Sequence, residues 1–172
     1  ATVKALRQAW LEHHVLIFPR QELQPENLIQ FAEYFGEIGD DPFIAPEPGL
    51  GWIAAIQRKA DETGRIFADS WHADWTFMPV PPAATLLYGI TSPPKGGDTL
   101  FANEHAALAA MPAEMRSRIE GLYGLHSAKG AYATDGKYAT GENERAMRIT
   151  TSDSAKAVQH HPSVSYTHLT LP

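Results

Sequence analysis

Prolines and glycines cut the chain so finely beyond Trp71 that long helices are excluded there. Pro79, Pro81, Pro82, Gly89, Pro93, Pro94, Gly96 and Gly97 leave only short apolar pieces between them. Proline breaks a helix interior and is confined to the ends or edges of strands, so pieces of this length read as short strands joined by turns. Ala83 to Ile90 predicts one strand, Pro93 to Gly97 a turn and Asp98 to Ala102 a further strand. Leu122 to Ser127 reads as another, and Gly130 to Asn143, polar and glycine-rich, as an excursion or lid.

The first third has a different rhythm. Val3, Leu6 and Trp10 fall at helical spacing, predicting an amphipathic helix over Val3 to His13. Val15 to Phe18, stopped by Pro19, reads as a buried strand. Pro25 suits the first position of a second helix, Glu26 complements its positive end, and Leu28, Phe31, Ala32 and Phe35 make one apolar stripe that Gly36 closes. Asp40 to Gly51 reads as a loop and Trp52 to Ile56 as a strand. Later, Asn103 can cap a helix over His105 to Ala110, and Pro112 can begin the next, with Met115, Ile119 and Leu122 on one side. The whole is a single α+β, mainly β, domain without internal repeats.

Composition narrows the partners. With 14 basic against 20 acidic residues and a net charge of -6, the chain lacks the basic footprint of a nucleic-acid binder, and small molecules fit better. The absence of cysteine excludes disulfides, cysteine-ligated zinc and a thiol nucleophile, and accords with a cytoplasmic protein. No run approaches the roughly 18 apolar residues that a membrane span requires.

In W-H-A-D-W, His72 and Asp74 stand two residues apart, which on extended backbone puts both on one face, in reach of one ion. Such a pair is two-thirds of the 2-His-1-carboxylate triad that holds non-haem Fe(II) and leaves open positions opposite. Spacing alone is weak evidence, because 8 histidines and 20 acids placed at random in 172 residues give about one such pair. Without further context, His72 reads rather as a surface histidine beside a hydrogen-bonding aspartate, Thr99 as an ordinary β-branched strand residue, and Trp71, Trp75 and Phe77 as core. His13, His14 and His105 sit near helix ends, where a structural or exposed role suffices, and His126 suits a satisfied position in a strand.

The longer pattern W-H-A-D-W-T-F-M-P-V-P-P-A-A-T-L-L-Y-G, followed by P-P-K-G-G-D-T-L-F-A-N, resembles the taurine/chlorophenoxyacetate dioxygenase family of Fe(II)- and 2-oxoglutarate-dependent oxygenases. The likeness runs from about Leu6 to Ser163 and includes F-G-E at Phe35 to Glu37. It implies a double-stranded β-helix, or jelly roll, with flanking helices. It also implies oxidative decarboxylation of 2-oxoglutarate to succinate and CO2, coupled to hydroxylation of a substrate C–H bond with O2. On this likeness His72 and Asp74 are iron ligands, and Thr99 hydrogen-bonds a 2-oxoglutarate carboxylate, with Gly96 and Gly97 turning the backbone before it. Trp71, Trp75 and Phe77 would then wall water away from the iron.

Substrate contacts depart from the taurine-specific pattern. Asp41-Pro42-Phe43-Ile44 occupies the place of H-P-x-Y, and Ala68 replaces an amide-bearing residue, so Asp41, Ile44, Ala68 and Trp75 are the candidate substrate residues. An aspartate there repels a sulfonate, which points away from taurine and towards a substrate that is neutral or cationic near Asp41. His160-His161-Pro162 resembles the family's H-P segment, which precedes the second iron histidine and is not itself a ligand. That histidine and the arginine for the far 2-oxoglutarate carboxylate are expected beyond Ser163. Val164 to Pro172 resembles one reading frame of a sequencing-library adapter, and Ala1 is not Met, so the expectation is a jelly roll incomplete at both ends: a partial domain over 1–163 and a non-native tail. Such a fragment is expected to be inactive, with homo-oligomerisation a question for the full-length protein. Two alternatives remain: a cupin-type non-oxidative metal enzyme, and a catalytically dead small-molecule-binding jelly roll.

Overall fold

A computed structural model describes residues 2–64, 66–139 and 146–164. Its helices are α1 (Thr2–His13), α2 (Pro25–Glu33), α3 (Glu104–Ala110), α4 (Ala113–Ile119) and α5 (Lys129–Tyr132), with a 3-10 helix at Asp153–Lys156. Strands β1 (Tyr123–His126) and β2 (Gln159–Pro162) pair in a two-stranded sheet. The chain is therefore mixed α and β. It divides into a first unit (Ala1–Gln24, Leu86–Gly124 and His161–Pro172) and a second (Pro25–Thr85 and Leu125–His160).

Helices form where the sequence supplies them. In the first unit α1 matches its apolar spacing, and α3 begins where the Asn103 side chain accepts a hydrogen bond from Ala106 N at 2.9 Å, satisfying a donor the helix leaves orphaned. Pro112 is the residue before α4 rather than its first residue. Past the end of α1, His14 takes φ 63° and its ring stacks on His105 at 5.2 Å. Tyr88 Oη accepts from Leu23 N and donates to Gln21 O, each at 3.2 Å. In the second unit α2 ends at Glu33, and its stripe continues as a tighter turn through Tyr34 and Phe35, whose amides donate three residues back, so Gly36 lies beyond the cap position.

Strands fare differently. Of the runs expected as strands, only Leu122 to Ser127 contains one, β1. Val15 to Phe18, Trp52 to Ile56, Ala83 to Ile90 and Asp98 to Ala102 carry no strand among the described residues. The reason is that strand-like residues make a strand only where a neighbouring strand completes the ladder. The turn between the last two stands as expected, with Gly96 and Gly97 at φ 74° and 75°.

The core of the second unit corrects a further expectation. Ala133 is fully buried and Tyr138 is 5% exposed, so the segment read as an excursion or lid sends side chains into the interior, although Gly130, Thr134 and Asp135 are exposed; its positions 140–143 lie outside the described residues. Phe43, Ala128, Ala133 and Ala155 form the buried cluster, against which Phe77 and Tyr132 pack. Phe43 stacks on Tyr132 at 4.8 Å, and Phe77 meets Phe43 edge-on at 5.5 Å, aromatic pairings that add about 0.5–1.5 kcal/mol each beyond buried area. An isolated bridge between Ile44 and Ile149, with Thr150 N donating to Phe43 O at 2.7 Å, holds the Asp41 loop to this core.

Candidate metal centre

His72 and Asp74 lie at the start of a turn running from Asp74 to Phe77. His72 Nδ1 is 2.7 Å from the Ser70 carbonyl oxygen. A carbonyl only accepts, so Nδ1 carries the hydrogen and, in the neutral ring, Nε2 carries the lone pair. Nε2 faces Asp74 Oδ1 at 3.2 Å, both side chains being about half exposed. Asp74 Oδ2 accepts from Thr85 Oγ1 at 2.7 Å. Each side chain is thus oriented by a partner behind it, as the ligands of metal sites are.

This arrangement fits a metal ion. Two electron-rich atoms facing each other at 3.2 Å repel unless a proton or a cation lies between them. Ligands about 2.1 Å from one ion and at right angles are about 3 Å apart, close to the spacing found. Imidazole nitrogen with carboxylate oxygen is a donor set suited to Fe(II) or Mn(II). Among the described residues no group of three histidines, aspartates or glutamates could hold a metal.

Around the pair, Trp75 has φ 50°, an outlying backbone for a bulky side chain, sustained only where its surroundings over-determine it. Those surroundings are specific. Trp75 Nε1 donates to Asp41 Oδ2 at 2.8 Å, while Asp41 Oδ1 accepts from Phe43 N at 2.7 Å and Ile44 N at 2.9 Å. The indole lies so close to Gly39 that a β-carbon there would stand 2.5 Å from Trp75 Cζ3. Asp41, Ile44 and Trp75 are therefore brought together, with both Asp41 oxygens engaged by N–H donors. Ala68 is exposed with φ 55°, and its amide donates to Tyr138 Oη at 3.3 Å. Of the three aromatics read as core or wall, Phe77 joins the core, Trp75 is half-buried and Trp71 is 70% exposed. Burial, then the negative charges of Asp41, Tyr138 and Asp74, push the Tyr132 hydroxyl well above the ordinary tyrosine range.

Thr99 belongs to the first unit, exposed, two residues past Gly97, whereas His72 and Asp74 belong to the second. His126 lies on β1 and His160 and His161 on β2. Ser70, Thr85 and Gly39 were not found by sequence reasoning. Ser70 contributes only a carbonyl, which any residue has; Thr85 had a signal, a hydroxyl in the P-P-A-A-T segment following the pair, with nothing local to aim it.

His72 Nε2 and Asp74 Oδ1 face each other as a candidate pair for one metal ion. The chain matches the taurine catabolism dioxygenase TauD, TfdA family over residues 1–170, and it belongs to that family. It is 31% identical over 135 residues to an alpha-ketoglutarate-dependent sulfate ester dioxygenase of Pseudomonas putida, covering 78% of this chain and 44% of the relative. It is 34% identical over 128 residues to an (S)-phenoxypropionate/alpha-ketoglutarate-dioxygenase of Sphingobium herbicidovorans, covering 71% and 43%. Identity is 29% over 157 residues to an alpha-ketoglutarate-dependent 2,4-dichlorophenoxyacetate dioxygenase of Cupriavidus pinatubonensis, covering 83% and 53%. The chain spans about half the length of these relatives. Among the described residues, no helix is long and apolar enough to cross a membrane.

Proposed function

We propose that this chain is part of an Fe(II)- and 2-oxoglutarate-dependent dioxygenase of jelly-roll fold that hydroxylates a C–H bond of a small organic substrate, giving succinate and CO2. The observation that carries this reading is the paired orientation of His72 Nε2 and Asp74 Oδ1, each backed by its own hydrogen bond. Membership of the family and the alpha-ketoglutarate dependence of its relatives support it.

His72 and Asp74 would hold the iron, which supplies O2 activation when bound. The residues around them have work of their own. Ser70 fixes the histidine tautomer, Thr85 fixes the carboxylate, and the Asp41–Trp75 bond holds the turn against its backbone strain. Thr99 would hydrogen-bond a 2-oxoglutarate carboxylate. The second histidine and the 2-oxoglutarate arginine are assigned to the part of the relatives' length that this chain does not match, with Val164 to Pro172 read as non-native; beyond Val164 those residues lie outside the described ones. A cytoplasmic location is part of this reading, and the cysteine-free composition accords with it.

Asp41 brings a negative charge where a sulfonate would otherwise be bound, and its two oxygens already accept three N–H donors. Taurine is therefore not the primary substrate. The test is succinate release from 2-oxoglutarate by the protein expressed from its complete gene, across small organic substrates including taurine. Release that requires Fe(II) and disappears in His72→Ala is the expected result. Release indifferent to Fe(II) would sink the dioxygenase reading, and turnover of taurine comparable to the best substrate would sink the substrate reading.

A further inference from the structure

From the Thr85–Asp74 contact we infer that Thr85 is a positioning residue that restricts Asp74 to one ligating oxygen. This rests on the metal-binding reading of the pair. Thr85 Oγ1 lies 2.7 Å from Asp74 Oδ2, a short bond of the kind a hydroxyl makes to a carboxylate. A threonine hydroxyl has one hydrogen, and its use here leaves Oδ2 engaged. The other oxygen, Oδ1, is the one that faces His72 Nε2 at 3.2 Å.

Without the hydroxyl, the carboxylate loses its hydrogen bond on Oδ2 and can rotate about Cβ–Cγ, a soft, roughly two-fold torsion. The two oxygens would then exchange places before His72, and an ion binding there would have to fix the carboxylate itself, at a cost in affinity. With the hydroxyl, Oδ2 is engaged and Oδ1 alone is left to ligate. Thr85 itself is exposed, so its replacement empties no core space. It is eleven residues from Asp74 in sequence yet in the same unit, so the contact is tertiary rather than a local turn feature.

Mn(II) binding tests this, followed by loss of the free-ion paramagnetic resonance signal, on the protein expressed from its complete gene. Wild type, Thr85→Val, Thr85→Ala, Thr85→Ser and His72→Ala are compared at equal foldedness by circular dichroism and thermal melting. The expected result is Mn(II) affinity about tenfold weaker in both Thr85→Val and Thr85→Ala, the low end of what outer-shell partners contribute, with Thr85→Ser close to wild type. A purely structural role would move the melting temperature and leave Mn(II) affinity unchanged in variants that stay folded. Unchanged affinity in Thr85→Val and Thr85→Ala, with His72→Ala still abolishing binding, overturns the role of Thr85 and leaves the metal site standing. Equal binding by wild type and His72→Ala overturns both. Should Thr85→Val not fold, Thr85→Ala against Thr85→Ser carries the same comparison.

Discussion

The turn bearing His72 and Asp74 and the run bearing Thr99 both expose their functional side chains, yet they are organised in opposite ways. The turn is tied down by side-chain hydrogen bonds, from His72 to the Ser70 carbonyl, from Thr85 to Asp74 and from Trp75 to Asp41. Every residue of the run from Leu87 to Ala107 is exposed, and it is tied at its two ends, by Tyr88 and by Asn103 and His105, with the turn at Gly96 and Gly97 between them. A ligand pair two residues apart needs only a few nearby donors and acceptors to be aimed. A strand residue is aimed by the strands beside it, and these must come from distant sequence.

The contrast breaks first at Gly39. Gly39→Ala would put a β-carbon 2.5 Å from the rigid indole of Trp75, so the ring must leave its place over the loop. A cost of about 3 kcal/mol is expected from such overpacking, together with weakened metal binding, measured by denaturant unfolding and Mn(II) titration. Retained stability and affinity would mean that the indole is not a fixed part of the turn. Asp41→Asn comes next. Its amide cannot accept both from the Phe43 and Ile44 amides and from Trp75 Nε1, which leaves a donor facing a donor. A loss of about 2 kcal/mol is expected, with Trp75 fluorescence moving towards the solvent-exposed value.

Tyr132 sharpens the difference by pH. Its hydroxyl ionises less readily in the folded chain than at its ordinary value of 10.0, chiefly because it is buried. The folded state therefore binds a proton that the unfolded state releases above pH 10. Stability is complete below that value and falls as pH rises towards the folded one, by about 1.4 kcal/mol per pH unit. Tyr132→Phe should flatten that part of the urea-unfolding profile, whereas an identical slope in the variant would assign the alkaline loss to other groups. The smallest effect belongs to the exposed run. Gly97→Ala forces a side chain into φ 75° with Pro93 Cγ at 3.2 Å, at a cost of about 1–2 kcal/mol. Thermal melting reads it, and Mn(II) affinity should not change.

Much of the helical part was legible because its signals are local. Apolar spacing marked α1, Pro25 began α2, and Asn103 capped α3 one residue before the predicted start. The strands were not, since the runs at Val15, Trp52, Ala83 and Asp98 have strand-like residues but form no strand among the described residues. The segment after Gly130 misled through its polar composition: Ala133 and Tyr138 are interior because Tyr132 stacks on Phe43, a contact across 89 positions that no window of sequence contains. At the site, the residue types of His72 and Asp74 were readable from the motif, and their orientation was not. Asp41 was legible as a departure from the taurine pattern, while its bond to Trp75 needed the fold.

The most direct measurement is a crystal structure of the protein from its complete gene, grown with Mn(II) and examined by anomalous scattering. One manganese peak bonded to His72 Nε2 and to Asp74 Oδ1 alone, with Ser70 O still on Nδ1 and Thr85 Oγ1 still on Oδ2, is the result expected. A peak on Nδ1, a metal held elsewhere, or an empty pair at saturating Mn(II) would contradict it.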